Sequence, residues 1–176
     1  AFNNNIGAFV VDNFDELRFL NEQAGKLNKV QNILLRLSPG IDPHTHRAVV
    51  TGSVDSKFGV AIETGQAIDF VKEALACKNV NLEGIHCHIG SQIFDKFPFT
   101  DAAAIMLDFA LEVKNKLGCT FKKINLGGGI GVRYVEEDPE INIDDIMGEI
   151  KNELDKLVFE RGLEKPIFLF EMGRFI

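Results

Sequence analysis

Three consecutive glycines, Gly127, Gly128 and Gly129, form the most unusual run in this sequence. They follow an alternating apolar segment that begins at Phe121 and has the pattern of a β-strand. Because glycine has no side chain to cover the backbone and reaches φ angles closed to other residues, the run can present bare N–H groups at the end of a strand. A group of such donors binds phosphate. Glycine pairs are also common in ordinary turns, so the run predicts either a phosphate site or a tight turn.

Two histidines are the next candidates for chemistry. His86 and His88 are two positions apart in a predicted strand, which places their side chains on one face. An HxH pair can bind a metal, but it needs further ligands, and Glu171 is the one carboxylate obviously placed to supply one. His88 can instead stack on a planar ring as a neutral imidazole, and Ser91 with its neighbouring glycine suits the close approach of an anion. His86 is also consistent with a buried structural histidine.

Charged residues at two strand ends complete the set of candidates. Glu171 ends an apolar strand, where a half-buried carboxylate needs a partner. Arg174 can pair with it, or can face an anionic group while Glu171 holds a protonated ring nitrogen. Arg36, within the apolar run ILLRL, is likewise a cation that needs a partner. An anion cradle, a stacking imidazole and a carboxylate for a ring nitrogen describe a site for a phosphorylated basic heterocycle such as pyridoxal phosphate.

Predicted strands and helices alternate along the whole chain, which predicts an α/β fold with a parallel sheet. The candidate residues lie at or just after the C-terminal ends of strands, the reaction face of (β/α)8 barrels. We therefore predict a single partial domain over 1–176 that is part of a TIM-type barrel, with an open doubly wound sheet as the alternative. The stretch 38–58 is predicted to be a long functional loop. Strands are predicted at 8–11, 33–37, 82–89, 121–126 and 166–171, and helices at 14–27, 65–77, 101–117 and 145–160.

Composition restricts the possible partners. The formal net charge of −7 disfavours a nucleic-acid surface, and no apolar run is long enough to cross a bilayer. The three cysteines have neither paired nor metal-type spacing, which fits free thiols in a reducing, cytoplasmic compartment. The absence of an initiator methionine and the apolar last residues lead us to expect an internal part of a longer protein.

The motifs of the chain, in their order, resemble those of the fold-type III pyridoxal-phosphate decarboxylases, and among them the diaminopimelate branch more than the ornithine or arginine branches. The resemblance covers essentially the whole chain. It implies decarboxylation of meso-2,6-diaminopimelate to L-lysine and CO2 with pyridoxal 5'-phosphate, an amino-acid substrate, and a homodimer in the full-length protein. The motifs are RLSPGIDPHTH (36–46), TG with DSKFG (51–59), GIHCHIGSQI (84–93), NLGGGIG (125–131) and EMGRFI (171–176).

The resemblance also implies a role for each candidate residue. His88 and Glu171 are the catalytic pair, with His88 stacking on the cofactor ring and Glu171 contacting the pyridine nitrogen. Arg174 also contacts a substrate carboxylate. The glycine run, Ser91, Gly173 and Arg174 are implied to bind the phosphate, and Arg36 is implied to lie near the edge of the ring. The full cofactor-binding set is Arg36, His88, Ser91, Gly127, Gly128, Gly129, Glu171, Gly173 and Arg174.

Two departures from the family pattern affect these expectations. Met172 stands where the family has proline, so the last turn is expected to be less rigid. The Schiff-base lysine strand and the C-terminal β-domain of the family match nothing here, and we interpret Lys57 as structural or as a dimer contact. The chain alone is therefore expected to be inactive. The alternatives are a decarboxylase for another basic amino acid, a non-catalytic homologue that binds the cofactor, and a metal-dependent barrel hydrolase that uses His86 and His88.

Overall fold

The computed structural model describes residues 2–41 and 58–175. Most of the predicted loop at 38–58, with His44, His46 and Lys57, lies outside the described residues. The described elements, in chain order, are β1 (Phe9–Val11), α1 (Phe14–Lys26), β2 (Gln31–Ser38), β3 (Val60–Ala61), α2 (Gln66–Ala76), β4 (Val80–His86), α3 (Phe97–Leu117), β5 (Lys123–Asn125), α4 (Ile143–Glu160) and β6 (Ile167–Leu169), with 3-10 helices at Phe2–Asn4 and Gly173–Phe175.

The strands form one six-stranded sheet in which every described pair is parallel. The order is β1-β2-β4-β5-β6, and β3 lies beside the C-terminal end of β2. This confirms the α/β class and the parallel sheet that the alternating pattern predicts. The short strand β3 was not predicted, because two residues are too few to show a periodic pattern.

The register of the sheet brings the ends of its central strands to one level. Arg36 on β2 pairs with His86 on β4, and His86 pairs with Asn125 on β5. One residue earlier, Leu35 and Ile85 lie in the row that packs into the hydrophobic core, and both are fully buried. Since successive side chains of a strand point to opposite faces, the polar row is on the other face of the sheet.

The start of α1 agrees with the sequence-based prediction, whereas α3 and α4 begin earlier than predicted, at Phe97 and Ile143. The helix α1 begins at Phe14 as predicted, and Asn13 caps it, because its side-chain oxygen accepts a hydrogen bond from the N–H of Glu16, 2.9 Å away. The predicted start of α3 at residue 101 is wrong. That helix begins at Phe97, whose N–H donates to Asp95 Oδ1 over 3.0 Å. Among the helices in the two described ranges, none combines the length and apolar character that a membrane span needs.

The end of β4 corrects a second expectation. The strand ends at His86, so His88 lies in the following loop and the two histidines do not share a strand face. The physical reason lies in the neighbouring strand β5: its pairing with β4 ends at Asn125, and Gly127, which follows, has φ of 71° and departs from β geometry.

Candidate functional site

Three segments that follow β4, β5 and β6 are joined by a ladder of backbone hydrogen bonds. The N–H of Ile93 donates to Gly129 O and the N–H of Gly131 donates to Ile93 O, each over 2.9 Å. On the other side, the N–H of Glu171 donates to Gly127 O, also over 2.9 Å. The glycine run is therefore held between the two other segments, and its position is fixed from both sides.

Gln92 adds a side-chain bridge that the sequence analysis did not anticipate. Its amide donates to the carbonyl of Val132 over 3.0 Å and accepts from the N–H of the same residue over 3.1 Å. Gln92 also has a positive φ of 57°, which non-glycine residues rarely adopt. The amide side chain thus replaces a strand partner and ties the loop after β4 to the loop after β5.

The three glycines are needed because neighbouring backbone is very close to them. A Cβ on Gly128 would lie 2.0 Å from the carbonyl oxygen of Glu171, and one on Gly129 would lie 2.1 Å from that of Gly90. A Cβ on Gly127 would lie 2.5 Å from the carbonyl oxygen of Cys87, in the segment after β4. The run is therefore a packing element between two loops, in addition to any role in binding.

The N–H groups of the run are partly used within the protein. The N–H of Gly127 donates to Asn125 Oδ1 over 2.8 Å, and that of Gly128 donates to His88 Nδ1 over 3.4 Å. Within the described residues, the N–H of Gly129 has no acceptor. The expectation of three bare donors is thus reduced to one, next to a second that makes a long hydrogen bond.

A cavity of about 300 Å³ opens at this edge of the sheet. Every predicted cofactor residue except Arg36 and Gly127 lines it. Met172, which departs from the family pattern, also lines the cavity, and the turn that contains it is closed by a hydrogen bond from the N–H of Gly173 to Glu171 O over 2.9 Å. The lining residues are His88, Ser91, Gly128, Gly129, Ile130, Glu171, Met172, Gly173 and Arg174.

The Glu171 carboxylate is half-exposed, with 51% of its side chain accessible. Its Oε1 accepts a hydrogen bond from Asn125 Nδ2 over 2.9 Å and lies 3.5 Å from His86 Nε2. In the described part of the chain, Arg174 forms no ion pair with it, so a simple pair of these two residues is not what satisfies the carboxylate. Asn125 was not among the predicted site residues, because its burial is seen only in the structure.

His86 is buried, and burial is the main reason that its pKa is lowered to about 4. The carboxylate of Glu171 raises this pKa and the Arg36 charge lowers it, but neither outweighs burial. His86 is therefore neutral at pH 7 and acts toward Glu171 as a neutral N–H group. Its Nδ1 is buried without a hydrogen-bond partner among the described residues.

Acid sensitivity follows from His86. The unfolded chain binds a proton at this residue below its ordinary pKa of about 6.5, whereas the folded protein does so only near pH 4, so stability falls as the pH is lowered through this window. We expect the loss from this group to be about 3 kcal/mol, at roughly 1.4 kcal/mol per pH unit. Urea unfolding at several pH values measures it. A His86→Leu variant should show a correspondingly weaker pH dependence over this window, and an equal slope would contradict the assignment.

His88 lines the cavity with a neutral imidazole. Burial and then the Arg36 charge lower its pKa, and its Nδ1 accepts the N–H of Gly128. A neutral ring in a fixed orientation suits stacking on a planar ligand. In the ranges that the structure describes, no group of three or more His, Cys, Asp or Glu residues is arranged to hold a metal ion.

Arg36 does not line the cavity, and its charged partner also lies outside it. Its guanidinium donates to Asp12 Oδ1 over 3.1 Å and lies 4.7 Å from the centre of the Phe58 ring. The same Asp12 oxygen accepts the N–H of Gly59 over 3.1 Å. Asp12 therefore holds the Arg36 guanidinium in place by an ion pair.

Comparison with known proteins agrees with this geometry. The model of the family described as "Pyridoxal-dependent decarboxylase, pyridoxal binding domain" matches residues 1–176. The chain is 43% identical to the diaminopimelate decarboxylase of Bacillus methanolicus over 174 residues, which cover 99% of this chain and 40% of that protein. It is 37% identical to the enzyme of Corynebacterium efficiens, over 98% of this chain and 38% of that one. The chain thus spans about 40% of the length of these curated relatives.

Solved structures give the same result. The diaminopimelate decarboxylase of Methanocaldococcus jannaschii in complex with L-lysine has a TM-score of 0.86 and 36% identity, over 98% of this chain and 39% of that one. A lysine decarboxylase from Selenomonas ruminantium has a TM-score of 0.75 at 22% identity, which shows the shared fold. These similarities confirm that the parallel sheet is part of a (β/α)8 barrel.

Proposed function

Because this chain belongs to the pyridoxal-dependent decarboxylases and matches their pyridoxal-binding domain, we propose that it provides the cofactor-binding face of a diaminopimelate decarboxylase. The reaction is the removal of CO2 from meso-2,6-diaminopimelate to give L-lysine. We use "full-length protein" below for a polypeptide that carries this chain and extends over the whole length of its relatives. The identity to diaminopimelate decarboxylases, 35–43% in five curated relatives, supports this substrate.

The convergence of His88, Gly129 and Glu171 on one cavity is the observation that carries the proposal. A bare N–H at Gly129, the Ser91 hydroxyl and the Arg174 guanidinium supply donors for a phosphate. Close packing of backbone against the glycines leaves no room for a Cβ there, which keeps this wall of the cavity free of side chains. The donor set therefore fits pyridoxal 5'-phosphate.

The residues act by binding and by holding a proton. Pyridoxal phosphate, when bound, supplies an electron sink for the electron pair that remains when the bond to the carboxylate breaks. Glu171 would hold a proton on the pyridine nitrogen by its negative charge, through its second carboxylate oxygen, since Oε1 already accepts from Asn125 and the second oxygen has no partner among the described residues. His88 would pack its neutral ring against the cofactor ring, and Arg174 would hold a substrate carboxylate.

Further features of the full-length protein are proposed on the family resemblance. The full-length protein is a cytoplasmic homodimer whose sites lie between two subunits. The Schiff-base lysine comes from a strand that no motif of this chain matches, so the chain by itself does not decarboxylate. A decarboxylase for another basic amino acid is the second candidate, and its support is weaker, since the solved lysine and lysine/ornithine decarboxylases are 20–23% identical.

Spectroscopy and product analysis test the proposal. We expect the purified full-length protein to bind pyridoxal phosphate with a visible absorbance band and to release lysine from meso-diaminopimelate faster than it decarboxylates ornithine or arginine. A preference for ornithine or arginine would identify the protein as a decarboxylase for another basic amino acid. A colourless protein that contains stoichiometric metal and hydrolyses its substrate would refute the proposal.

A further inference from the structure

We propose that Asn125 is a positioning residue that fixes the Glu171 carboxylate and the glycine run as one unit. The inference rests on the proposed function, because it concerns how the ring-nitrogen partner is aimed. Asn125 is the last residue of β5 and is 6% exposed. A buried amide at a strand end needs hydrogen-bond partners for both of its polar atoms.

Each atom of the amide has a separate partner. Asn125 Oδ1 accepts the N–H of Gly127 over 2.8 Å, and Nδ2 donates to Glu171 Oε1 over 2.9 Å. The orientation of the amide follows from chemistry, because a backbone N–H can only donate and a carboxylate can only accept. One side chain therefore connects the loop after β5 to the segment after β6.

This arrangement leaves Oε2 as the carboxylate oxygen that is available to a ligand. Oε1 receives Asn125 and has His86 Nε2 at 3.5 Å, whereas neither contact involves Oε2. Since 51% of the Glu171 side chain is exposed, the carboxylate would be able to swing toward solvent without such a tether. Asn125 thus converts a half-exposed, flexible carboxylate into one with a fixed direction.

The substitution Asn125→Asp separates the two contacts. Aspartate keeps the acceptor for the N–H of Gly127 but replaces the donor to Glu171 by a second carboxylate oxygen. At about pH 8 the two carboxylates repel each other, and at lower pH a shared proton restores the hydrogen bond. The described titratable or charged groups near Glu171 are His86, His88 and Arg174, which lines the same cavity, with Arg36 on the far side of the histidines. Burial lowers the pKa of both histidines, that of His86 to about 4, so His86 stays neutral in this range.

The experiment compares full-length wild type with Asn125→Asp and Asn125→Ala. For Asn125→Asp we expect kcat to fall about tenfold at about pH 8 and to recover toward wild type at about pH 6, with the affinity for pyridoxal phosphate within about threefold. For Asn125→Ala we expect a loss of kcat at both pH values and an affinity for pyridoxal phosphate about tenfold weaker. Asn81→Asp is the matched control, since Asn81 is an exposed strand asparagine whose amide donates to Asn32 over 2.9 Å.

The outcomes are distinct. A ratio of Asn125→Asp to wild-type kcat that is constant with pH would show that Asn125 is merely structural and would overturn the inference, as would wild-type kcat in Asn125→Ala. A wild-type protein that neither binds pyridoxal phosphate nor decarboxylates would overturn the proposed function, and the positioning role with it. In that case unfolding free energies of Asn125→Asp, Glu171→Gln and the double variant would still show whether the two side chains are coupled.

Discussion

Replacement of Glu171 by glutamine in the full-length protein is expected to lower kcat by about 100-fold to 1,000-fold. The carboxylate is held at Oε1 by Asn125 and approached by His86, so its charge is presented to the cavity in one direction. An amide of the same shape removes the charge that we propose keeps the ring nitrogen protonated, while it retains most contacts. Steady-state kinetics with meso-diaminopimelate measure the effect, and cofactor absorbance checks that the site is still filled.

Glu164→Gln serves as the matched control for this prediction. Glu164 is exposed and precedes β6, at the opposite end of that strand from Glu171. We expect it to leave kcat unchanged. If Glu171→Gln retained nearly normal turnover with the cofactor bound, the carboxylate would have no role as a partner of the ring nitrogen.

The second large effect is on folding. Gly128→Ala places a Cβ 2.0 Å from the carbonyl oxygen of Glu171, where no rotamer change can relieve the contact because both sides are backbone. The backbone must move, and the ladder that joins the loops after β5 and β6 must move with it. We expect destabilisation of about 3 kcal/mol and loss of affinity for pyridoxal phosphate. Urea unfolding and cofactor titration measure the two quantities.

A matched glycine lies on α4. Gly148 has nothing within 4 Å of its ideal Cβ position and is part of a helix, so Gly148→Ala should stabilise the protein by about 0.5–1 kcal/mol. Opposite signs for the two substitutions would separate the steric role of Gly128 from a general effect of glycine replacement. An unchanged urea midpoint for Gly128→Ala would mean that the loop accommodates a side chain.

The sequence allowed the candidate residues to be gathered because parallel strands end at one edge of a sheet. His88, Gly129 and Glu171 follow three neighbouring strands, and this alone places them together. The position of His88 outside its strand was not predictable, since the end of β4 depends on the turn that Gly127 makes in another segment.

Contacts that join distant segments were also beyond the sequence. The hydrogen bond between Asn125 and Glu171 joins residues that are 46 positions apart, and the partner of Arg36 comes from the end of β1, 24 positions away. Such pairs depend on register, which a single sequence does not specify. For the same reason, the N–H groups of the glycine run were expected to be free, whereas Asn125 and His88 accept two of them.

The backbone ladder between the three loops has a consequence for how a ligand is received. The backbone hydrogen bonds of Ile93, Gly127 and Gly129 are made to neighbouring segments of the protein and need no ligand, so they preorganise the cavity wall. Binding of a ligand in this cavity therefore costs little conformational entropy for ordering the wall, and most of the contact energy is available as affinity. Selectivity then comes from how well a planar anion fits a preorganised cavity.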